Sequence, residues 1–162
     1  MARDKTLIER GKFKNEINTA LYKNKDICEL LLGDTSGKSG ADIRKEFKQH
    51  VKSHLFIDDT LTEAETYIFY DVVFPYMQPH IKSCRIMMYL ICHRSILEDY
   101  IKEGYYGDRI DILAQMVQDT LINDEETVHN FGIGELNLDS IDIYNSQRFY
   151  GCVLTFNVPS FR

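Results

Sequence analysis

The stretch most similar to a known chemical motif runs from Gly33 to Ser39, with the order Gly-Asp-Thr-Ser-Gly-Lys-Ser. A phosphate-binding loop has the form G-x-x-x-x-G-K-[S/T], in which backbone N–H groups surround the phosphates and the lysine reaches their far side. Three residues separate Gly33 from Gly37 where the motif needs four. Ile68 to Asp71 imitates the apolar run and the aspartate that would hold magnesium. Because the loop is one residue short, the sequence favours a flexible linker over a nucleotide site.

Histidines and cysteines offer few combinations that could bind a metal ion. His50 and His54 are four residues apart and would share one face of a helix, but no H-E-x-x-H motif accompanies them. Cys84 and Cys92 are eight residues apart, which along a strand is roughly 26 Å at about 3.3 Å per residue. They cannot share an ion, so we expect no metal site.

The thiols, with no C-x-x-C among them, are expected to be free and buried: Cys28, Cys84, Cys92 and Cys152.

Carboxylates cluster at residues 58–59, at residues 124–126, and at Asp139 with Asp142. The first two groups fall in predicted turns, where solvated acids are common. Glu46-x-Lys48 resembles the E-x-K of metal-dependent nucleases, but it lies on a predicted helix instead of a strand hairpin. No Gly-x-Ser-x-Gly elbow is present. We therefore expect no catalytic residue, no cofactor and no enzyme, and keep a small metal-dependent nuclease using Asp71 as the rival class.

The elements that would position these residues are clearest in the C-terminal half. Apolar residues between residues 108 and 122 recur at intervals of three and four residues, which predicts an amphipathic helix with Asp108 as its N-cap. Alternation around residues 136–143 and 152–158 predicts a hairpin with one apolar face, covered by that helix.

The N-terminal half predicts helices over residues 4–23, 26–32 and 42–54, followed by strands over 65–75, closed by Pro75, and 82–93. The chain is thus expected to be an α+β protein: a mostly antiparallel sheet of about four strands with one long helix packed across it, plus N-terminal helices. We divide it into an N-terminal helical extension, residues 1–60, with a Gly/Ser loop at 33–40, and an α+β domain, residues 61–162.

The composition of the chain argues against two classes of partner, nucleic acids and membranes. The net charge of −6 argues against binding nucleic acid through phosphate contacts, which need an excess of Lys and Arg. The apolar run at residues 86–92 is far shorter than the roughly 20 residues of a membrane span, and the first residues lack a signal-peptide core. We expect no membrane partner and a cytoplasmic site of synthesis. The second face of so small a sheet needs cover, and ten Tyr with nine Phe suit a protein interface.

Three segments carry a resemblance to a known group: residues 107–114, 131–138 and 149–158. The first contains Arg109-x-Asp111 at the start of a helix that follows a long strand, and the last is an aromatic and glycine-containing final strand. Together they resemble the neck and tail-completion proteins of tailed bacteriophages, particularly the tail terminator type, over roughly residues 66–160.

The resemblance implies a structural virion protein that forms a ring, expected to be a hexamer, which terminates the tail tube and joins it to the head connector. Its partners would be the tail tube protein and neck or connector proteins, with DNA passing through without specific binding. A head-completion stopper or an adaptor of the same neck is the alternative. The residues expected at subunit interfaces are Tyr67, Phe69, Arg85, Tyr89, Phe131, Gly132, Gly134 and Tyr150.

Overall fold

The computed structural model describes residues 6–57, 60–77, 82–123 and 136–161, and these form four α-helices on one face of a five-stranded sheet. In chain order the elements are α1 (Thr6–Lys23), α2 (Lys25–Leu32), α3 (Gly40–His50), β1 (Val51–Lys52), β2 (Thr66–Met77), β3 (Lys82–His93), a 3-10 turn (Arg94–Ile96), α4 (Arg109–Gln118), a π-helical turn (Asp119–Asn123), β4 (Asn137–Asn145) and β5 (Phe149–Phe161).

The N-terminal helices begin and end at residues whose side chains satisfy free backbone groups. Asn24 caps α2, its Oδ1 accepting from the N–H groups of Asp26 and Ile27 at 2.9 and 3.1 Å. Gly33 ends the same helix with a φ of 75°, a conformation that side chains disfavour. The predicted first and second helices are confirmed. The third was predicted to reach residue 54, but α3 ends at His50 because Val51 pairs with β2.

The predicted helix over residues 108–122 is confirmed as α4 with its π-helical continuation. Asp108 caps it by accepting from the N–H groups of Ile110 and Asp111, and the Asp111 carboxylate accepts in return from the N–H of Asp108 at 3.0 Å. Arg109 donates to the carbonyl oxygens of Ile96 and Leu30, at 3.0 and 3.3 Å. The Arg109-x-Asp111 pair of the resemblance therefore has a structural role, because it starts α4 and ties this helix to α2.

The strands are arranged in the order β1-β2-β3-β5-β4, with β1 parallel to β2 and all other neighbours antiparallel. The α+β prediction with a mostly antiparallel sheet is confirmed. The fifth strand, the two-residue β1, was not predicted.

Strand β2 continues through Pro75 to Met77, so the prediction that Pro75 closes it is wrong. Its pairing with β3 shifts register between Val73 and Tyr76. Proline has no N–H to donate to a ladder, and it is tolerated where the ladder is already broken. The irregularity accommodates Pro75 without ending the strand.

One hydrophobic core lies between the helices and the sheet. Side chains from α1, α2, α3 and α4 meet the inward-facing residues of β2, β3 and β5 in a single cluster that includes Ile17, Leu30, Phe47, Leu113 and Leu90. Residues on both sides of position 60 contribute to it.

The hairpin is covered unequally, however: Leu154 and Phe156 of β5 are buried, whereas Ile141 and Ile143 of β4 are 64% and 75% exposed. The predicted helical cover therefore does not reach β4.

All four cysteines are free, and Cys84, Cys92 and Cys152 are buried while Cys28 is half-buried. Burial raises the pKa of Cys84 and Cys152 to about 12 and that of Cys92 to about 11. Among the described helices, none is long and apolar enough to cross a membrane.

Candidate interaction surface

The glycine-rich stretch from Gly33 to Ser39 joins two helices, α2 and α3, whereas a phosphate-binding loop follows a strand. Lys38, the residue that would reach a phosphate, donates to both carboxylate oxygens of Glu46 at 3.0 and 2.9 Å. Ser39 caps α3 by accepting from the N–H of Asp42. Lys38 is thus engaged in an ion pair, and Ser39 is engaged in capping. Glu46 of the E-x-K sequence is the acid in that pair.

His50 and His54 do not share a helical face, because α3 ends between them. His50 is buried, with Nδ1 2.8 Å from the carbonyl oxygen of Thr66 and its ring stacked on Tyr67 at 5.4 Å between centroids. His54 packs edge-on against Phe56. Within the described ranges, no three His, Cys, Asp or Glu side chains are grouped so as to hold a metal ion.

Asp71, the acid of the rival nuclease hypothesis, lies at the edge of β2 opposite α1. Arg10 Nη2 and Lys14 Nζ reach its Oδ1 at 2.6 and 3.0 Å, and the N–H of Val72 donates to the same oxygen. Burial opposes ionisation, but the hydrogen bonds from Lys14 and Val72 and the charges of Lys14 and Arg10 hold the pKa of this carboxyl below its ordinary value. A carboxylate neutralised by two cations is a poor ligand for a divalent ion.

The sequence also contains three clusters of acidic residues, and the structure describes one of them. Residues 58–59 and 124–126 lie outside the described residues. Asp139 and Asp142 are exposed on β4.

The aromatic residues on the second face of the sheet form their own cluster. Tyr67 and Phe69 are 4% and 0% exposed, and they pack with Ile91 and Phe149. Ile57, Leu61 and Phe56, which follow β1, lie against this cluster. A partner could reach Tyr67 or Phe69 only by displacing that segment. Their aromatic character predicted the sheet correctly but could not distinguish an intramolecular cover from an intermolecular one.

The rest of the second face has no layer of described residues over it. Eight side chains point outward there, and we call them the open face: Val73, Arg85, Met87, Tyr89, Asp142, Tyr144, Val153 and Thr155. Val73 and Asp142 are exposed, Val153 and Thr155 are buried, and the other four are half-buried. Tyr89 and Tyr144 meet edge to face, with ring centroids 6.0 Å apart. They approach across β5 at Gly151, which has no side chain on this face.

Arg85 carries an unmet hydrogen-bonding group on the open face. Its Nε is buried, and no acceptor among the described residues bonds to it. Buried donors without a partner are rare and destabilising.

Arg85 and Tyr89 were expected at an interface from sequence, and the structure places both on the open face. Tyr150 is half-buried and, by strand alternation with Cys152, faces the helices. Phe131, Gly132 and Gly134 lie outside the described residues. Sequence reasoning missed Val73, Met87 and Tyr144. The alternation of β3 placed Met87 with Arg85 and Tyr89, but the register that brings Tyr144 beside Tyr89 had no local signal.

Comparison with known proteins shows which family the chain belongs to. No curated protein and no solved structure gave a significant match. The family model described as YomW matches residues 24–158, a span that begins at the cap of α2 and includes most of β5. Because the match covers most of the chain, the protein belongs to the YomW family and is phage-related.

Proposed function

We propose that this protein is a structural component of a phage neck, which forms a ring, expected to be a hexamer, that terminates the tail tube and joins it to the head connector. The YomW match supports the phage setting, and the resemblance of residues 66–160 to tail terminators supports the finer role. The protein would work in the virion and be assembled in the host cytoplasm.

The observation that carries the proposal is the open face. Monomeric proteins rarely leave a continuous apolar and aromatic surface uncovered on a sheet. Here Met87, Tyr89 and Tyr144 lie side by side, next to a guanidinium whose Nε lacks an acceptor among described residues. Tyrosine, methionine and arginine are among the residues enriched in protein interfaces. The open face suits a contact with another protein of the assembly, and we retain Arg85 and Tyr89 as interface residues.

A structural role is also favoured over catalysis by the contacts that the polar groups make. Asp71 is neutralised by Arg10 and Lys14, Lys38 pairs with Glu46, and His50 is stacked on Tyr67. We propose that the protein is not an enzyme and that it needs no cofactor.

Passage of DNA through the ring is compatible with the charge of the chain. Between Arg109 and Arg148 the sequence contains eight Asp or Glu residues and no Lys or Arg. An acidic surface repels phosphates and does not retain them. We propose that DNA passes without specific binding and that the specific partners are the tail tube protein and the connector proteins.

The ring is tested by light scattering coupled to size-exclusion chromatography and by negative-stain electron microscopy of the purified protein. We expect a closed ring of about six copies, and immunogold labelling of virions at the neck. A monomer at all concentrations, or magnesium-dependent cleavage of DNA by the purified chain, would overturn the proposal. Cross-linking in virions to portal or connector without the tube protein would assign the stopper or adaptor role instead.

A further inference from the structure

We infer that residues 54–57 form a displaceable strap, and that the subunit contact on the open face extends beneath this strap when two copies of the chain associate. The inference rests on the proposed function, because it deepens the contact that the open face makes in the ring. It places Tyr67 and Phe69, which the strap covers in the single chain, in the interface of the assembled state.

The covered aromatic cluster and the open face are parts of one continuous surface. Phe69 of β2 is paired with Tyr89 of β3, and the two side chains lie on the same side of the sheet. Tyr89 and Tyr144 of the open face pack directly against the cluster, which consists of Tyr67, Phe69, Ile91 and Phe149. The boundary between the covered and the open parts is therefore set by the strap and by Leu61, and not by a change in the sheet.

The strap is attached to the sheet by side chains. Among the described residues, no backbone–backbone hydrogen bond joins residues 54–57 to the rest of the chain. Phe56 meets Phe69 edge to face, with ring centroids 6.2 Å apart, and Ile57 packs on the cluster. A segment with few buried contacts and no backbone hydrogen bonds opens at a lower free energy than the whole domain unfolds. The strap can thus move while β2 and β3 stay paired.

The strap covers the cluster while its own apolar side chains remain in contact with solvent. Leu55 and Phe56 are 50% and 39% exposed. Lys52 Nζ lies 5.5 Å from the centre of the Phe56 ring, on the side of the strap that the sheet does not cover. A second copy lying on this surface would bury apolar area of the cluster and of the moved strap together, which favours the exchange.

A cavity beside the strap gives an incoming side chain a place to enter. Its volume is about 370 Å³, and it lies between Ile57 and Leu61 on one side and Tyr144, Phe149 and the β4–β5 turn on the other. Because Tyr144 belongs to the open face, the cavity adjoins that face. At about 30 Å³ per water molecule it has space for about 12 waters, enough for a large side chain. Entry next to Ile57 would therefore precede the loss of any strap contact.

The occupant to which this inference commits is a second copy of the chain. The surface is continuous with the open face, where the proposed ring already places another copy. The charges of the open face, on Arg85 and Asp142, are of opposite sign, so this face builds up no net charge that would repel another copy. Buried aromatic side chains are typical of the centre of such contacts.

The test loosens the strap in the full chain. The loosened variant carries Phe56→Ser and Ile57→Ser, which removes the two side chains that touch the cluster. Leu55→Ser is the matched control, because Leu55 is in the same strap but is not part of the cluster. Light scattering should show that the loosened variant associates at about tenfold lower concentration than the wild type and the control, since the strap no longer competes. Circular dichroism checks that each variant is folded, and Phe56→Ser alone replaces the double variant if that one does not fold.

Two further measurements identify the surface that is uncovered. Adding Tyr89→Asp to the loosened variant should abolish the gain in association, because Tyr89 joins the cluster to the open face. A synthetic peptide of residues 52–61, added to the loosened variant, should return its association to the level of the wild type by covering the cluster again. The same peptide with Phe56→Ser and Ile57→Ser should have no effect.

The outcomes separate the strap from the proposed function. A folded loosened variant that associates no more tightly than the wild type overturns the strap alone and leaves the ring standing. Association that persists with Tyr89→Asp, or that the peptide does not reduce, is non-specific aggregation and also overturns the strap. A wild type that stays monomeric at all concentrations overturns the proposed ring, whereas association of the loosened variant that the peptide reverses would still support the strap.

Discussion

Arg10 of α1 donates to Asp71 Oδ1 at 2.6 Å while its Nε donates to the carbonyl oxygen of Val72 at 2.7 Å. One guanidinium therefore neutralises a carboxylate and satisfies a backbone acceptor on the edge of β2. Lys14, one helical turn further along α1, completes the arrangement by reaching Asp71 at 3.0 Å and the carbonyl oxygen of Ser53 at 2.7 Å. Asp71 therefore helps to hold α1 against the sheet.

Replacing Asp71 by Asn should lower the free energy of unfolding at pH 7 by about 1 kcal/mol, because these partly exposed partners are screened by solvent. The pKa of Asp71 is lowered in the folded state, so its stabilising contribution is present above about pH 4, the ordinary value, and is lost as pH falls through the folded value. Urea unfolding of the wild type and of Asp71→Asn across this pH range measures the difference in their free energies of unfolding. Asp142→Asn, at an exposed position of β4, is the control. A difference between the wild type and Asp71→Asn that is as large in acid as at pH 7 would contradict the expectation.

Gly151→Ala should destabilise the protein by about 1–3 kcal/mol. A Cβ at Gly151 would collide with the backbone of β3, at the Leu90 carbonyl oxygen and the Ile91 Cα. These backbone atoms cannot move without disturbing the sheet. Denaturant unfolding is the measurement, with Gly40→Ala as the matched control, since a Cβ at Gly40 meets nothing within 4 Å. Equal stabilities of the two variants would show that the approach of β5 to β3 is less close than described.

Native protein at pH 8 should react with one equivalent of a thiol reagent, and unfolded protein with four. Burial raises the pKa of all four thiols, so few are ionised, but Cys28 is the one that is only half-buried. Absorbance of the released thiolate from an aromatic disulfide reagent counts the reacted groups. Cys28→Ser should abolish the native reaction; rapid labelling of two or more thiols would contradict the burial of Cys84, Cys92 and Cys152.

Tyr89→Asp should leave the chain folded but reduce its incorporation into particles about tenfold or more, since a charge in the centre of an interface is costly. The open face is the proposed contact with another assembly protein, and Tyr89 lies beside Tyr144 within it. Quantitative blotting of purified particles against total protein measures incorporation. Tyr106→Asp is the control because Tyr106 is 88% exposed and lies outside the open face. Equal incorporation of both variants would remove Tyr89 from the interface.

Much of the fold was predictable because its signals are local. Asp108 and Gly33 mark helix ends through the hydrogen bonds and dihedral angles of their own neighbours, and the long alternation of β3 gave its bounds, Lys82–His93, directly. The features that were missed depend on distant partners. Val51 becomes a strand only because Ile68 lies beside it, and Pro75 stays in β2 only because the ladder to β3 breaks there.

The outward-facing side of the sheet was predictable in part for the same reason. Arg85 and Tyr89 share a face of β3 by simple alternation, which a sequence shows. The burial of Tyr67 and Phe69 depends on the segment after β1 lying over them, and no local pattern encodes that.

The edge of β2 has a consequence for misassembly. Sheets that polymerise into fibrils must accept a new strand at each margin, and here Arg10 occupies the carbonyl oxygen of Val72 while β1 takes the positions at Ile68 and Phe69. An incoming strand would have to evict a charged side chain anchored on α1 before it could pair. Growth by strand addition is therefore stopped on one side, so a concentrated solution of this protein should yield finite assemblies instead of amyloid.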